Sequence, residues 1–164
     1  MQECQDIFAG KLHDYGASWR MLRPSSLTDQ RIRSLEIKKT SLVGEGIRPE
    51  FIAIINYGIV GLIQLEHGFA DNTDMGNDEA LTLYRHYADE ALKLMLKKNH
   101  DYDEAWRSMR VSSYTDFILT KIQRVKEIED LNGETLVSEG IASNYMDIIN
   151  YAVFGAIKLA EDKE

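Results

Sequence analysis

The chain is poor in cysteine, proline and basic charge, and each shortage removes a class of explanation. A lone Cys4 cannot close an intramolecular disulfide, and no CxxC pair or Cys/His cluster offers a structural zinc site, which fits a reducing, cytoplasmic setting. Pro24 and Pro49 are the two prolines, so little interrupts a helical chain. The longest apolar stretch, Phe51 to Leu65, is broken by Asn56, Gly58, Gly61 and Gln64 and is shorter than a membrane span of roughly 20 residues, so no membrane partner is expected. The opening residues MQECQDIFAG lack the basic start and apolar run of a signal peptide. Nineteen Lys and Arg face 27 Asp and Glu, a net charge of −8 and a pI near 5.0. Duplex-binding affinity is dominated by phosphate neutralisation, so such a chain is not expected to bind duplex nucleic acid. LVGEG and LVSEG lack the lysine of a P-loop and any preceding strand. What the 164 residues do have is 44% hydrophobic content, enough to bury a core.

They also repeat themselves. Lys11 to Asp29 lies over Lys98 to Asp116 at an offset of 87, with 11 of 19 positions identical. Leu42 to Leu65 lies over Leu136 to Leu159 at an offset of 94, with 12 of 24 identical. Two related halves follow, residues 1–67 and 77–164, joined by a Gly/Asp/Asn-rich linker at 68–76. Between the matching blocks, aligning Arg31–Glu36 with Arg124–Glu129 leaves the first half without a match for the six residues Ile118 to Gln123. The sequence leaves open whether that is a remodelled first half or a missing segment.

Helical periodicity dominates, and the expected fold is all-α, a bundle of about six helices built from two pseudo-two-fold-related three-helix repeats. Asn77–Lys98 reads as an amphipathic helix with Ala80, Tyr84, Ala88 and Ala91 on one face. A second helix is expected from Thr115-Asp116 to about Leu131, with Ile118, Ile122 and Val125 inward, and Thr28-Asp29 repeats its start. The third helix of each half, roughly Pro49–Glu66 and Ser143–Glu161, is apolar on almost every side and belongs at the centre. The molecule is expected to be a monomer, as a fused pseudo-dimer, or a homodimer.

Polar residues on those central helices stand out. At 100° per residue Asp147, Asn150, Tyr151 and Phe154 share one stripe. Either Asn150 and Asn56 close a structural hydrogen-bond network, or the stripe lines a polar cavity; Asp147, whose counterpart is Ala53, favours the cavity. Glu129 faces inward on the second helix, with Glu36 as its proposed mate. Such carboxylates build divalent-metal sites in helical bundles, or else pair with arginines such as Arg124. The repeated loop gathers positive charge and aromatic surface. Lys98, Arg107 and Arg110 with Tyr102 and Trp106, and Lys11, Arg20 and Arg23 with Tyr15 and Trp19, supply phosphate donors and stacking faces, or else plug the bundle ends. His13 and His100 read as loop-fixing groups.

The doubled Lys-x-x-Asp-Tyr, Trp-Arg-x-x-Arg-x-Ser-Ser-x-Thr-Asp and Ile-Ile-Asn-Tyr blocks resemble a bacterial and phage family called nucleotide-modification-associated domain 1. More distantly, Glu127-x-x-Asp130, a gap of 16 residues and Asp147-x-x-Asn150 are similar in spacing to the MazG-type all-α nucleoside triphosphate pyrophosphohydrolases. That resemblance implies a Mg²⁺-dependent hydrolase acting on a nucleotide. Asp101, Glu129 and Asp147 would be its catalytic carboxylates, with Glu127, Asp130 or Glu36 completing the metal shell. Lys98, Arg107, Arg110 and Arg124 would bind phosphate, and Tyr102 or Trp106 would stack on the base, with Asn150 and Asn56 in the polar stripe. Helical phase and the MazG-like spacing nominate different ligands, Glu129 against Glu127 and Asp130. The second half, or a cavity shared by the halves, is the expected site. The alternatives are nucleotide binding without catalysis and a helical interaction module.

Overall fold

The computed structural model describes residues 1–36, 46–102, 104–131 and 140–161, of which 31–36 and 102 are described by backbone alone. They form six α-helices and no strand: α1 (Gln2–Tyr15), α2 (Pro24–Glu36), α3 (Arg48–His67), α4 (Asn77–Tyr102), α5 (Val111–Asp130) and α6 (Ile141–Glu161). Short 3₁₀ turns, Ser18–Met21 and Ala105–Ser108, precede α2 and α5. Among the described residues no helix is long and apolar enough to cross a membrane.

Composition explains the arrangement. α3 and α6 carry apolar residues around nearly their whole circumference, so they can be satisfied only at the centre, where they pack on each other. α2 and α5 close one side, each against its own third helix and against one another, and α1 and α4 lie across the other side. Tyr84, Tyr114, Tyr145, Phe51 and Leu27 are all fully buried, each burial contributing about 1.5–3 kcal/mol. The central helices approach closely because glycine permits it. A Cβ on Gly58 would lie 2.6 Å from Ile149 Cγ1, and one on Gly155 would lie 2.7 Å from the Phe51 ring.

The helix starts need correction at two points. α5 begins at Val111 with Arg110 at its N-cap, not at Thr115, and α2 begins at Pro24, not at Thr28. Proline suits a first helical turn because its missing N–H would be unsatisfied there, and the hydroxyl oxygen of Thr28, one turn in, lies 3.2 Å from the Pro24 carbonyl. α2 is continuous over its 13 described residues, so with Arg31–Glu36 aligned on Arg124–Glu129 the six unmatched positions fall within the second helix.

The pseudo-symmetry fails at one other place. α4 has 26 residues and α1 has 14, so α4 also crosses to α3, whereas α1 makes at most weak contact with α6. That crossing puts Tyr84 of α4 against Asn56 of α3.

Candidate functional site

Burial on α5 follows helical phase: Glu129 is half-buried beside Ile128, while Glu127 and Asp130 are exposed. Glu129 accepts from the hydroxyl of buried Thr28 at 3.0 and 3.3 Å, a bond that ties α5 to α2. Glu127 accepts from Arg124 one turn away at 3.0 Å. Asp101 is exposed at the end of α4 beside His100. Asp147, only 8% exposed, accepts from Lys98 Nζ at 2.5 Å and pairs with Lys121 Nζ at 2.8 Å. Burial raises its pKa, but the two ammonium groups outweigh that and hold the carboxyl below its usual range.

These carboxylates therefore do not converge. Among the described residues no group of three or more His, Cys, Asp or Glu side chains is placed to hold a metal ion. Asp147 faces two cations, a poor start for a magnesium ligand set, so no step through magnesium is derived. The side chains of Glu36 and Tyr102 lie outside the described residues.

The basic loops divide into structural and exposed groups. Arg20, expected to bind phosphate, is 3% exposed and bonded to protein groups. Its Nε and Nη2 fork onto Asp74 at 2.8 and 3.0 Å, and its Nη1 donates to Gln64 Oε1 and to the Gly68 carbonyl. It staples the 3₁₀ turn to the end of α3 and to the 68–76 loop, which uses four of the five guanidinium N–H groups. Its counterpart Arg107 lies on the surface, bonded to Glu104 and Glu161 at 2.7 and 2.8 Å, with its guanidinium 4.4 Å from the Trp106 ring centroid. One device is common to both repeats: Gln64 Nε2 donates to the Arg20 carbonyl at 3.0 Å, and Lys158 Nζ donates to the Arg107 carbonyl at 2.7 Å. Arg23 is exposed and lies over the Phe69 ring, and Arg110 is exposed at the start of α5.

A cavity of about 310 Å³ opens in the first repeat, between α1, the turn after it and α3. α1 ends at Gly16, whose φ of 61° is readily adopted only without a Cβ, and the reversal carries Trp19 to the cavity wall. Trp19, Tyr15 and Tyr57 supply aromatic surface, and Lys11 lies at the rim, exposed and without an ion-pair partner among the described residues. The Trp19 Nε1 is buried with no hydrogen-bond partner. Asn56 also lines the space, its Oδ1 accepting from the Tyr84 hydroxyl at 2.7 Å.

Five of these wall residues recur in the second repeat: Lys98, Tyr102, Trp106, Asn150 and Tyr151 match Lys11, Tyr15, Trp19, Asn56 and Tyr57. Two others do not. Val60 becomes Phe154, whose ring stacks on Trp106 at 4.8 Å and 15°, and Ala53 becomes Asp147, which takes up Lys98. In the second repeat a phenyl ring and an ion-paired carboxylate thus stand at the positions where the first has two small cavity-wall residues. The sequence marks Ala53 only as the uncharged counterpart of Asp147 and gives Val60 no role; the signal lay in the difference in size at these paired positions.

No curated protein and no solved structure matches the chain. A family model described as nucleotide modification associated domain 1 matches residues 11–65 and 98–159, the two repeats found above. The chain belongs to the nucleotide modification associated domain 1 family.

Proposed function

We propose that this protein binds a nucleotide in the first-repeat cavity and does so without hydrolysing it. The observation that carries this reading is a cavity walled by Trp19, Tyr15 and Tyr57 and edged by Lys11, whose ammonium group has no ion-pair partner among the described residues. Small-molecule sites are mostly apolar with a few placed polar groups and span roughly 300–1,000 Å³, so this volume suits a single base-bearing ligand. A heterocycle supplies the flat face that Trp19 and Tyr57 can stack on, and a phosphate supplies the charge that Lys11 lacks. The family's name agrees with a nucleotide as ligand. Hydrolysis of a phosphoanhydride would require groups that polarise phosphate and activate water, and among the described residues no Asp or Glu lines this cavity.

Titration calorimetry with nucleoside mono- and triphosphates tests the reading. One equivalent of at least one nucleotide should bind, and Lys11→Ala should weaken it about tenfold, the equivalent of about 1.4 kcal/mol. The absence of heat from every nucleotide, or release of pyrophosphate on incubation, would reject it.

A further inference from the structure

We infer that the second repeat is a closed copy of the same site, in which Phe154 occupies the place of the ligand's base and Asp147 that of its phosphate. The inference rests on the nucleotide reading of the first repeat and extends it to where each part of the ligand lies and to why only one repeat is open.

Phe154 and Val60 are equivalent positions on α6 and α3, and both belong to the wall that includes the repeat's tryptophan. In the second repeat the phenyl ring stacks on Trp106; in the first, Val60 stops short and leaves the cavity beside Trp19. An aromatic ring is thus a chemistry this wall already accepts. Seven residues earlier on each helix, Asp147 meets Lys98 while Ala53 offers Lys11 nothing. Seven residues are about two helical turns, roughly 10 Å of rise, so ring and anion sit at separate points along the helix. A base joined through a sugar to a phosphate has that order of parts.

A second observation supports closure over a once-polar space. Asn150 is 4% exposed, and both its amide nitrogen and its carbonyl oxygen are buried without a partner; the Trp106 Nε1 is buried and unbonded too. Buried amides are ordinarily bonded, and the equivalent Asn56 lines the open cavity. Asn150 and Trp106 are the polar lining of a site whose occupant is now two side chains.

The test uses the whole chain with the four deoxynucleoside 5′-monophosphates and the four matching deoxynucleosides as probes, followed by calorimetry and by fluorescence of Trp19 in a Trp106→Phe background. Val60→Phe should weaken nucleosides and monophosphates alike, at least tenfold. Ala53→Asp should weaken the monophosphates at least tenfold while leaving the nucleosides within about twofold. Asp147→Ala combined with Phe154→Val should raise the stoichiometry from one to two. Both first-repeat variants add atoms to a void, so they keep the proposal open to refutation if the double variant does not fold. Without any ligand, Val60→Phe should raise the melting temperature by filling space beside Trp19.

Wild-type binding that Val60→Phe leaves unchanged, or an equal effect of Ala53→Asp on nucleosides and monophosphates, would overturn the inference while sparing nucleotide binding itself. A melting temperature lowered by Val60→Phe would overturn it as well. No wild-type binding to any probe would instead remove the nucleotide reading and the inference with it.

Discussion

Two repeats with the same Trp-Arg-x-x-Arg loop and the same Ile-Ile-Asn-Tyr helix have arrived at opposite interiors. The first has an open cavity edged by a lysine with no ion-pair partner among the described residues; the second has at the equivalent positions a stacked phenyl ring and an ion-paired aspartate. Identical residues consequently do different work. Arg20 is a buried staple and Arg107 a surface group, and Asn56 has a tyrosine partner where Asn150 has none. A shared motif specifies the backbone scaffold, while the neighbours that the rest of the fold supplies decide what each side chain does.

The sharpest way to break the comparison is to remove both arginines in turn. Arg20→Ala strands buried Gln64 and the Gly68 carbonyl and should lower stability by about 3 kcal/mol in urea unfolding. Arg107→Ala should leave the unfolding midpoint almost unmoved, since exposed ion pairs contribute little. Equal losses would mean that the two loops are equivalent after all.

Next in size is the seam between the repeats. Gly58→Ala forces a methyl against Ile149 Cγ1 and should cost about 1–3 kcal/mol by overpacking, despite the better helix propensity of alanine. A gain in melting temperature would show that α3 and α6 can separate without penalty.

The Asp147 cluster gives a pH test. Its folded pKa lies below the unfolded value, so its contribution is present at neutral pH and is lost as the pH falls below about 4 through the folded pKa. Asp147→Asn should lower stability at pH 7 by about 2 kcal/mol, Lys98 being half exposed and its share discounted accordingly. The gap between wild type and variant should narrow as the pH is taken below 4, in thermal melts run from pH 7 to pH 2.5. A constant gap would place the effect elsewhere.

The smallest expected effects concern the two asparagines. Tyr84→Phe should cost about 1 kcal/mol by leaving Asn56 as unpartnered as Asn150 already is. Asn150→Leu should be neutral or stabilising by up to about 1 kcal/mol, because it removes an amide that has no bond to lose. Asn56→Leu should destabilise, since the Tyr84 hydroxyl would then be stranded.

Much of the fold was legible because its signals are local or internal to the chain. The apolar circumference of 51–63 and 145–157 requires a central position whatever surrounds it, and the phase of Ile118, Ile122 and Val125 correctly turned Glu129 inward and Glu127 outward. The candidate site was less legible. Reading Asp147 as a metal ligand ignored Lys98 and Lys121, which reach it from α4 and α5, and periodicity along one helix is blind to cations on another. Arg20 was misread for the same reason, as its fork partner Asp74 is 54 residues away. Lys11, Tyr15, Trp19 and Asn56, expected from the sequence to bind ligand, do line the cavity, but the space left beside the small Ala53 and Val60 has no letter of its own in the sequence.

Sequence alone determined that this protein is a doubled, all-helical chain of one family, because duplication and helical period are written in the order of residues and need no third dimension. Only the tertiary structure decided which copy is open. Val60 against Phe154 and Ala53 against Asp147 are differences of volume and charge whose meaning depends on what faces them across the bundle, and packing, unlike periodicity, is a property of pairs that the chain brings together from far apart.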